Sequence, residues 1–210
     1  MDITTHAIRS WADENAVPDL TLAELDYRLV HALRAIYADP FLRDRLYLKG
    51  GTALNKLYIP DQGRLSVDLD FNAVGAREQV LEERTQFSQH VMSALEHQDS
   101  GYDLTYRWRY EQATVCARYA PLTGAARQRL KVEISFIERF AILGRKKRPL
   151  RISSSAEPVR VNTYHLEELT STKLRALYDR RSGRDIYDLF HITNLDLNRP
   201  AVRKMVLYYF

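Results

Sequence analysis

YLKGGTALNKLYIPDQGRLSVDLDF, residues 47–71, is the stretch that decides the fold, because it joins a glycine turn to a strand that carries two carboxylates. Residues 47–49 have the pattern of a short strand, and Gly50-Gly51 lets the backbone turn closely into a helix that begins near Thr52. The N-terminus of a helix presents free N–H groups and the positive end of a dipole. The turn therefore predicts a phosphate-binding site.

The strand that follows has a polar face and an apolar face. Successive side chains of a strand point to opposite sides, so Ser66, Asp68 and Asp70 share one face. The other face carries Val67, Leu69 and Phe71. Adjacent carboxylates repel each other unless a cation lies between them. Because Mg²⁺ takes hard oxygen ligands and shares them with substrate phosphates, the pattern predicts a nucleotide and metal site.

Each half of this stretch is weak when it is taken alone. A Gly-Gly-Thr turn is common, and an alternating Asp-Leu-Asp strand is often a solvated edge. Their combination, in this order and with a helix between them, is much more specific.

Length and composition are those of a globular protein. The 210 residues are 45% hydrophobic and 28% charged, which allows one domain or two small ones. No apolar run is long enough to span a membrane, and residues 1–5 lack the features of a signal peptide, so we expect a cytoplasmic protein. Cys116 is the single cysteine, which excludes an internal disulfide and a cysteine-based zinc cluster.

The periodicity of the remaining chain predicts helices and strands in the first part and mainly helices in the second. Thr21 and Glu24 have the spacing of a helix capping box. The switch from strands to helices predicts a boundary near residue 150, between a strand-rich region 1–150 and a mainly helical region 151–210. The predicted elements are helices over 4–15, 21–37 and 76–97, strands over 102–110, 113–119 and 130–136, and helices from 165 onward.

Glu133 lies on the polar face of the predicted strand 130–136. It is either a third carboxylate beside Asp68 and Asp70 or the partner of Lys131 or Arg129 at the sheet surface. The residues alone leave both alternatives open.

Lys173 interrupts the apolar stripe of a predicted helix. Burying a lone ammonium is costly, so we expect an anionic partner for Lys173 or a cleft into which it reaches. Asp185 lies near the N-terminus of the next helix, where the dipole favours a carboxylate. The two residues either belong to a site or only pin the two helices together.

Basic residues are concentrated in two places. The net charge is only +4, which permits a polyanionic partner without requiring one. A segment with few acids carries Arg139, Arg145, Lys146, Lys147, Arg148 and Arg151, and a short link carries Arg180, Arg181 and Arg184. Such a segment is either a solvated loop or a contact surface for nucleic acid.

Four segments resemble, in the same order, the AbiEii toxins of bacterial toxin–antitoxin systems, which include the MenT toxins and have a DNA-polymerase-β-type nucleotidyltransferase core. They are Gly50-Gly51-Thr52-Ala53-Leu54, Arg64 to Phe71, Lys131-Val132-Glu133-Ile134, and Lys173-x-x-Ala176-Leu177 followed by Arg180 and Arg184-Asp185-x-x-Asp188-Leu189. The resemblance implies an α+β fold, with a mixed sheet and flanking helices over 1–150. It also implies that the helical region 151–210 completes the active site.

The resemblance implies a toxin that moves NMP from an NTP, with Mg²⁺ or Mn²⁺, to an RNA acceptor such as the 3′ end of tRNA. It implies a cognate antitoxin, which in some members phosphorylates the hydroxyl that here is Ser66. Residue by residue, it assigns Asp68, Asp70, Glu133, Lys173 and Asp185 to catalysis, with metal ligands Asp68, Asp70 and Glu133. It assigns Gly50, Gly51, Thr52, Arg64 and Ser66 to the nucleotide, and Arg145, Lys146, Lys147, Arg148, Arg180, Arg181 and Arg184 to RNA.

Two other functions are compatible with the same residues. One is a small-molecule nucleotidyltransferase similar to the enzymes that modify aminoglycosides. The other is a binding module in which the core survives without catalysis. An RNA acceptor predicts a steep salt dependence of binding, which a neutral small acceptor does not.

Overall fold

In the computed structural model, which describes residues 3–60, 65–152 and 157–210, seven strands form one mixed sheet. They are β1 (Leu46–Lys49), β2 (Asp68–Ala73), β3 (Asp103–Arg109), β4 (Gln112–Tyr119), β5 (Gln128–Ser135), β6 (Lys146–Leu150) and β7 (Val159–Thr163). Their order is β3-β4-β5-β2-β1-β7-β6. The pairs β2–β5 and β1–β7 are parallel and the others antiparallel, which confirms the expected α+β class.

Nine helices surround the sheet within the described residues. They are α1 (Thr5–Glu14), α2 (Leu20–Ala38), α3 (Pro40–Arg43), α4 (Gly50–Leu57), α5 (Arg77–Glu82), α6 (Arg84–Gln98), α7 (Leu166–Arg180), α8 (Gly183–Ile192) and α9 (Arg199–Tyr209). The single helix predicted over 76–97 is therefore two helices, which meet at Glu83. The segment 139–151, read as a basic loop, contains strand β6.

The apolar face of the central strands packs against α2 and α6. Tyr37 of α2 lies with its ring centroid 6.3 Å from that of Phe71, and Phe87 of α6 lies 5.6 Å from Phe136 just after β5. Leu69 and Phe71 are fully buried, as the alternation of the β2 sequence predicts. The opposite face of β2 and β5 is thereby left to the polar side chains.

The capping box predicted at the start of α2 is wrong. Asp19 is the N-cap, and its carboxylate accepts the N–H groups of Thr21 and Leu22. Glu24 is fully buried instead; it pairs with Arg28 at 2.8 Å and accepts from the backbone N–H of Thr123 in the turn between β4 and β5. A buried carboxylate needs such partners, and Glu24 thereby fastens α2 to that turn.

The predicted boundary near residue 150 falls between β6 and β7, which pair with each other in the same sheet as β1 and β2. After β7, helix α7 packs against both α8 and α9. None of the helices in the described part of the chain is long and apolar enough to cross a membrane.

Candidate active site

The glycine turn lies directly against strand β2. Lys49, the last residue of β1, is paired in register with Asp70, and the next residue, Gly50, has φ +71°. This left-handed conformation strongly favours glycine. It allows α4 to begin beside the Asp70 carboxylate, where its first N–H groups have no partner within the helix.

The carboxylates of β2 and β5 share one face of the sheet, as predicted. In the parallel register, Asp68 lies opposite Lys131 and Asp70 lies opposite Glu133. Lys131 Nζ is 3.1 Å from Glu133 Oε1 and 3.9 Å from Asp68 Oδ2. Glu133 therefore satisfies both sequence alternatives: it neighbours the aspartates and it forms an ion pair with Lys131.

The pKa of Asp70 is raised to about 6. Burial of the carboxylate is the main cause, and the negative charges of Glu133 and Asp68 add to it. The positive charges of Lys49 and Lys131 lower the pKa of Asp70 by less than these effects raise it. The carboxylates thus repel one another even with Lys131 between them, which is the condition that a cation relieves.

A divalent cation fits this face only if some of its ligands come from water or from the substrate. Among the described residues, no group of three or more His, Cys, Asp and Glu side chains is arranged to hold a metal ion. The predicted three-carboxylate set is therefore not assembled, because Glu133 is turned to Lys131. Mg²⁺ needs only one or two carboxylates, with water and substrate phosphates as the remaining ligands, and Asp68 and Asp70 are the residues that could supply these carboxylates.

Three of the predicted nucleotide contacts need correction or fall outside the structure. Thr52 is buried and its hydroxyl donates to the backbone carbonyl of Asp68, so this side chain positions β2 and does not face an open site. The strand β2 begins at Asp68 and not at Ser66, so Ser66 lies in the segment before the strand, where it is half-buried. Arg64 lies outside the described residues.

The C-terminal motif forms an ionic cluster in which Lys173, Asp185 and Asp188 are buried and Arg180 is exposed. Lys173 Nζ lies 3.1 Å from Asp185 Oδ1 and 2.7 Å from Asp188 Oδ2. Arg180 donates from Nε and Nη2 to both oxygens of Asp185 at 2.7 Å. The Arg180 hydrogen bonds, followed by that of Lys173, hold the pKa of Asp185 below its usual value although burial opposes this. Asp185 is fully buried and therefore acts through Lys173 and Arg180.

A cleft of about 290 Å³ joins the two halves of the predicted site. One wall is formed by Gly50, Gly51 and Asp70, and another by Lys173 and Arg180 of α7. The hydrogen bond to Asp185 is the main cause that raises the pKa of Arg180, and the charge of Asp70 adds to it, which is consistent with Arg180 and Asp70 facing each other across the cleft. Residues more than 100 positions apart in the sequence thus converge on one space.

The basic residues do not form one surface. Arg148 donates twice to the carbonyl of Leu57 and its guanidinium lies 4.6 Å from the ring centroid of Tyr58, so its side chain braces β6 against α4. Arg145 hydrogen-bonds to Tyr47, and Lys147 lies 3.4 Å from Asp44. These residues and Lys146 are on or next to the edge strand β6. In contrast, Arg180 lines the cleft, and the exposed Arg181 and Arg184 follow it directly.

Sequence reasoning missed several residues that line the cleft, among them the charged residues Lys49, Glu138 and Arg175. Lys49 could have been found, because it immediately precedes the glycine turn. Arg175 lies two positions after Lys173, but helical spacing gives no reason to place both in one cleft. Glu138 is in the irregular segment after β5, where the sequence carries no signal.

Comparison with known proteins agrees with this geometry. The family model described as nucleotidyl transferase AbiEii toxin, type IV TA system, matches residues 31–210. A search of curated proteins found no match at a significant level.

Solved structures give the same result for the fold. The chain is similar to MenT4, a nucleotidyltransferase toxin of Mycobacterium tuberculosis, with TM-score 0.70 and 21% identity over 99% of this chain and 70% of that one. It is also similar to JHP933 of Helicobacter pylori, with TM-score 0.57 and 23% identity over 81% of this chain and 66% of that one. It is similar as well to a putative nucleotidyltransferase of H. pylori, with TM-score 0.56 and 22% identity over 86% of this chain and 70% of that one.

Proposed function

The chain belongs to the AbiEii family of nucleotidyltransferase toxins of type IV toxin–antitoxin systems, and we propose that it transfers NMP from an NTP to the 3′ end of tRNA and so blocks translation. The proposal includes Mg²⁺ or Mn²⁺ as cofactor, a cognate antitoxin as partner and a cytoplasmic location. In it, residues 1–150 form the nucleotidyltransferase core and residues 151–210 complete the site.

The observation that supports the proposal best is the cleft shared by the glycine turn, Asp70, Lys173 and Arg180. Phosphoryl transfer needs little covalent chemistry from the protein, and its catalysis is almost entirely positioning and electrostatic stabilisation. In this cleft a helix N-terminus and a carboxylate lie opposite two cations. Such an arrangement provides both positioning and electrostatic stabilisation.

Each part of the cleft has a role in this proposal. The N–H groups of Gly50, Gly51 and Thr52 receive phosphate oxygens at the start of α4. Asp68 and Asp70 hold the metal ion, which when bound supplies charge stabilisation at the reacting phosphate. Lys173 and Arg180 neutralise negative charge that develops as pyrophosphate leaves, and buried Asp185 fixes their direction.

The acceptor is RNA in this proposal, because exposed basic residues continue from the cleft. Arg181 and Arg184 follow Arg180 at the rim and can contact successive phosphates, which position an RNA without reading its sequence. Ser66, two residues before Asp68, is the hydroxyl at which an antitoxin of the phosphorylating kind would act. A phosphate there would add negative charge beside Asp68 and oppose nucleotide binding.

One observation favours a second candidate, a transferase with a small hydroxyl acceptor. The basic residues near β6 are not all free to contact RNA, since Arg148 is used against Leu57 and Tyr58. That leaves a shorter basic surface than the sequence predicts.

Both candidates are tested by incubating the protein with total tRNA and each radiolabelled NTP in turn, with Mg²⁺ and with EDTA. Label that moves to tRNA only when Mg²⁺ is present is the expected result. Label that stays on the NTP with tRNA, but moves to a small aminoglycoside-type alcohol, supports the second candidate. No transfer under either condition contradicts both.

A further inference from the structure

Glu138 lies between two cations that come from different walls of the cleft. Its Oε2 is 3.6 Å from Lys49 Nζ at the end of β1, and its Oε1 is 3.4 Å from Arg175 Nη1 on α7. Asn72 Nδ2 donates to Glu138 Oε2 at 3.3 Å. One carboxylate thus links the sheet wall of the cleft to its helical wall.

The ion pairs that Glu138 forms with Lys49 and Arg175 are longer than the ion pairs of Lys173 and Arg180, the other cations in the cleft. Lys173 lies 2.7 Å from Asp188, and Arg180 makes two bonds of 2.7 Å to the buried Asp185. Charge-assisted hydrogen bonds between nitrogen and oxygen are usually about 2.7–2.9 Å long. The distances from Glu138 to its two cations exceed this range, so Lys49 and Arg175 can exchange their partner at little cost.

Exposure separates Lys49 and Arg175 from Lys173, although not from Arg180, whose side chain is 60% exposed. The Lys173 side chain is 7% exposed, whereas that of Lys49 is 27% exposed and that of Arg175 is 47% exposed. An incoming anion therefore reaches Lys49 and Arg175 without having to open a buried cluster. Both residues line the same cleft as Asp70 and the glycine turn.

We propose that Lys49 and Arg175 bind the polyphosphate of the nucleotide, and that Glu138 holds them across the cleft until the polyphosphate takes its place. This rests on the proposed function in that the polyphosphate is the tail of the NTP. Asp70 makes the cleft unfavourable for an anion, and the two cations released from Glu138 offset that repulsion.

The arrangement also selects the class of ligand. An anion that replaces Glu138 has to reach one cation on each wall, as the single Glu138 carboxylate does, and the charged oxygens of a phosphate chain meet that requirement. The site therefore takes phosphate anions, and nucleoside triphosphates and inorganic tripolyphosphate, which carry more negative charge, should bind more tightly than nucleoside monophosphates.

The test is calorimetric titration of the full chain with inorganic tripolyphosphate in EDTA, and with an NTP in Mg²⁺. Lys49→Met and Arg175→Met should each weaken both bindings about tenfold, the effect of losing one hydrogen bond between charged groups. Glu138→Gln should tighten both several-fold, because the competing charge is gone while the side-chain shape is kept. Lys204→Met, which changes an exposed lysine of α9, is the matched control and should bind like wild type. Thermal unfolding confirms that every variant is folded.

The outcomes separate this inference from the proposed function. If the wild-type chain transfers nucleotide but Lys49→Met and Arg175→Met bind tripolyphosphate as it does, the inference alone is overturned. Weaker binding by Glu138→Gln also overturns it, since Glu138 would then support the ligand. If the wild type transfers no nucleotide, yet binds tripolyphosphate through Lys49 and Arg175, the polyphosphate site stands and the proposed function fails.

Discussion

A Cβ atom built on Gly50 would lie 2.5 Å from Oδ2 of Asp70, so the glycine turn and the carboxylate of β2 are in direct contact. We predict that Gly50→Ala displaces Asp70 and also strains the backbone at φ +71°, a conformation that costs a non-glycine residue about 1–3 kcal/mol. Transfer of labelled NMP should fall at least about 100-fold, because small displacements of reacting groups have effects of that order. Urea unfolding of the same variant measures the strain.

Gly183→Ala is the control for that variant. Gly183 begins α8, and a Cβ atom there has no neighbour within 4 Å. The Gly183→Ala variant should keep both the transfer activity and the stability of the wild type. Full activity of Gly50→Ala would show that the contact with Asp70 is not needed.

We predict that Asp68→Ala abolishes transfer and leaves the fold intact. The Asp68 side chain is 38% exposed and its ion pair with Lys131 is long, so little stability is lost with it. Incorporation of labelled NMP and the thermal midpoint are measured together. Asp103→Ala removes a comparable carboxylate at the start of β3 and should be fully active. Retained transfer by Asp68→Ala would refute its assignment to the metal.

The raised pKa of Asp70 predicts a pH dependence of stability. The carboxyl has a pKa of about 6 in the folded protein and 3.8 in the reference state, so between these values the folded protein holds a proton that the unfolded chain has released. The free energy of unfolding therefore falls as pH rises from about 4 to 6, by at most about 3 kcal/mol at 1.36 kcal/mol per pKa unit.

Asp70→Asn tests this pH dependence by urea unfolding in EDTA across that range. The variant should lack the fall, and at pH 7 it should be more stable than wild type while being inactive. Parallel pH profiles for the two proteins would contradict the assignment of the fall to Asp70.

The sequence predicted the parts of the site that depend on alternation and on local turns. Asp68 and Asp70 share a face because the strand period is two, and Gly50 turns because a φ of +71° strongly favours glycine. The partner of the Thr52 hydroxyl was not predicted, because the sequence shows that a hydroxyl is present but not which acceptor it finds; here that is the carbonyl of Asp68.

Long-range contacts explain the rest of what was missed. Glu138 reaches the cleft because a segment without regular structure brings it beside Lys49, and no periodic pattern encodes that approach. Arg148 was predicted to contact RNA from its basic neighbours, but the alignment of β6 beside α4 gives it the carbonyl of Leu57. Glu24 was assigned to a local cap because no sequence pattern indicates its distant partner, the backbone N–H of Thr123 in the turn after β4.

The buried pair of Lys173 and Asp185 predicts a combined loss of stability and activity. Asp185→Asn keeps the shape of the side chain but removes the charge that Lys173 and Arg180 share, so the free energy of unfolding should fall by about 1–3 kcal/mol. Activity measured well below the thermal midpoint should fall at least about tenfold more than the unfolded fraction explains. Asp196→Asn, an exposed aspartate after α8, is the control. Wild-type activity in folded Asp185→Asn would show that the pair only joins the two helices.

Exposed arginines at the rim of the cleft predict how binding to RNA depends on salt. The binding constant for RNA falls as the salt concentration rises. Each phosphate contact that is lost makes the slope of log K against log salt shallower by about 0.7–0.9. The double variant Arg181→Ala/Arg184→Ala should therefore lower the slope for tRNA by about 1.5, while nucleotide binding stays unchanged. Arg107→Ala, on edge strand β3 at the opposite end of the sheet order, should leave the slope as it is. Filter binding from low to high salt measures both variants. If the double variant keeps the wild-type slope, RNA does not pass over this rim, and a small acceptor becomes the better description of the substrate.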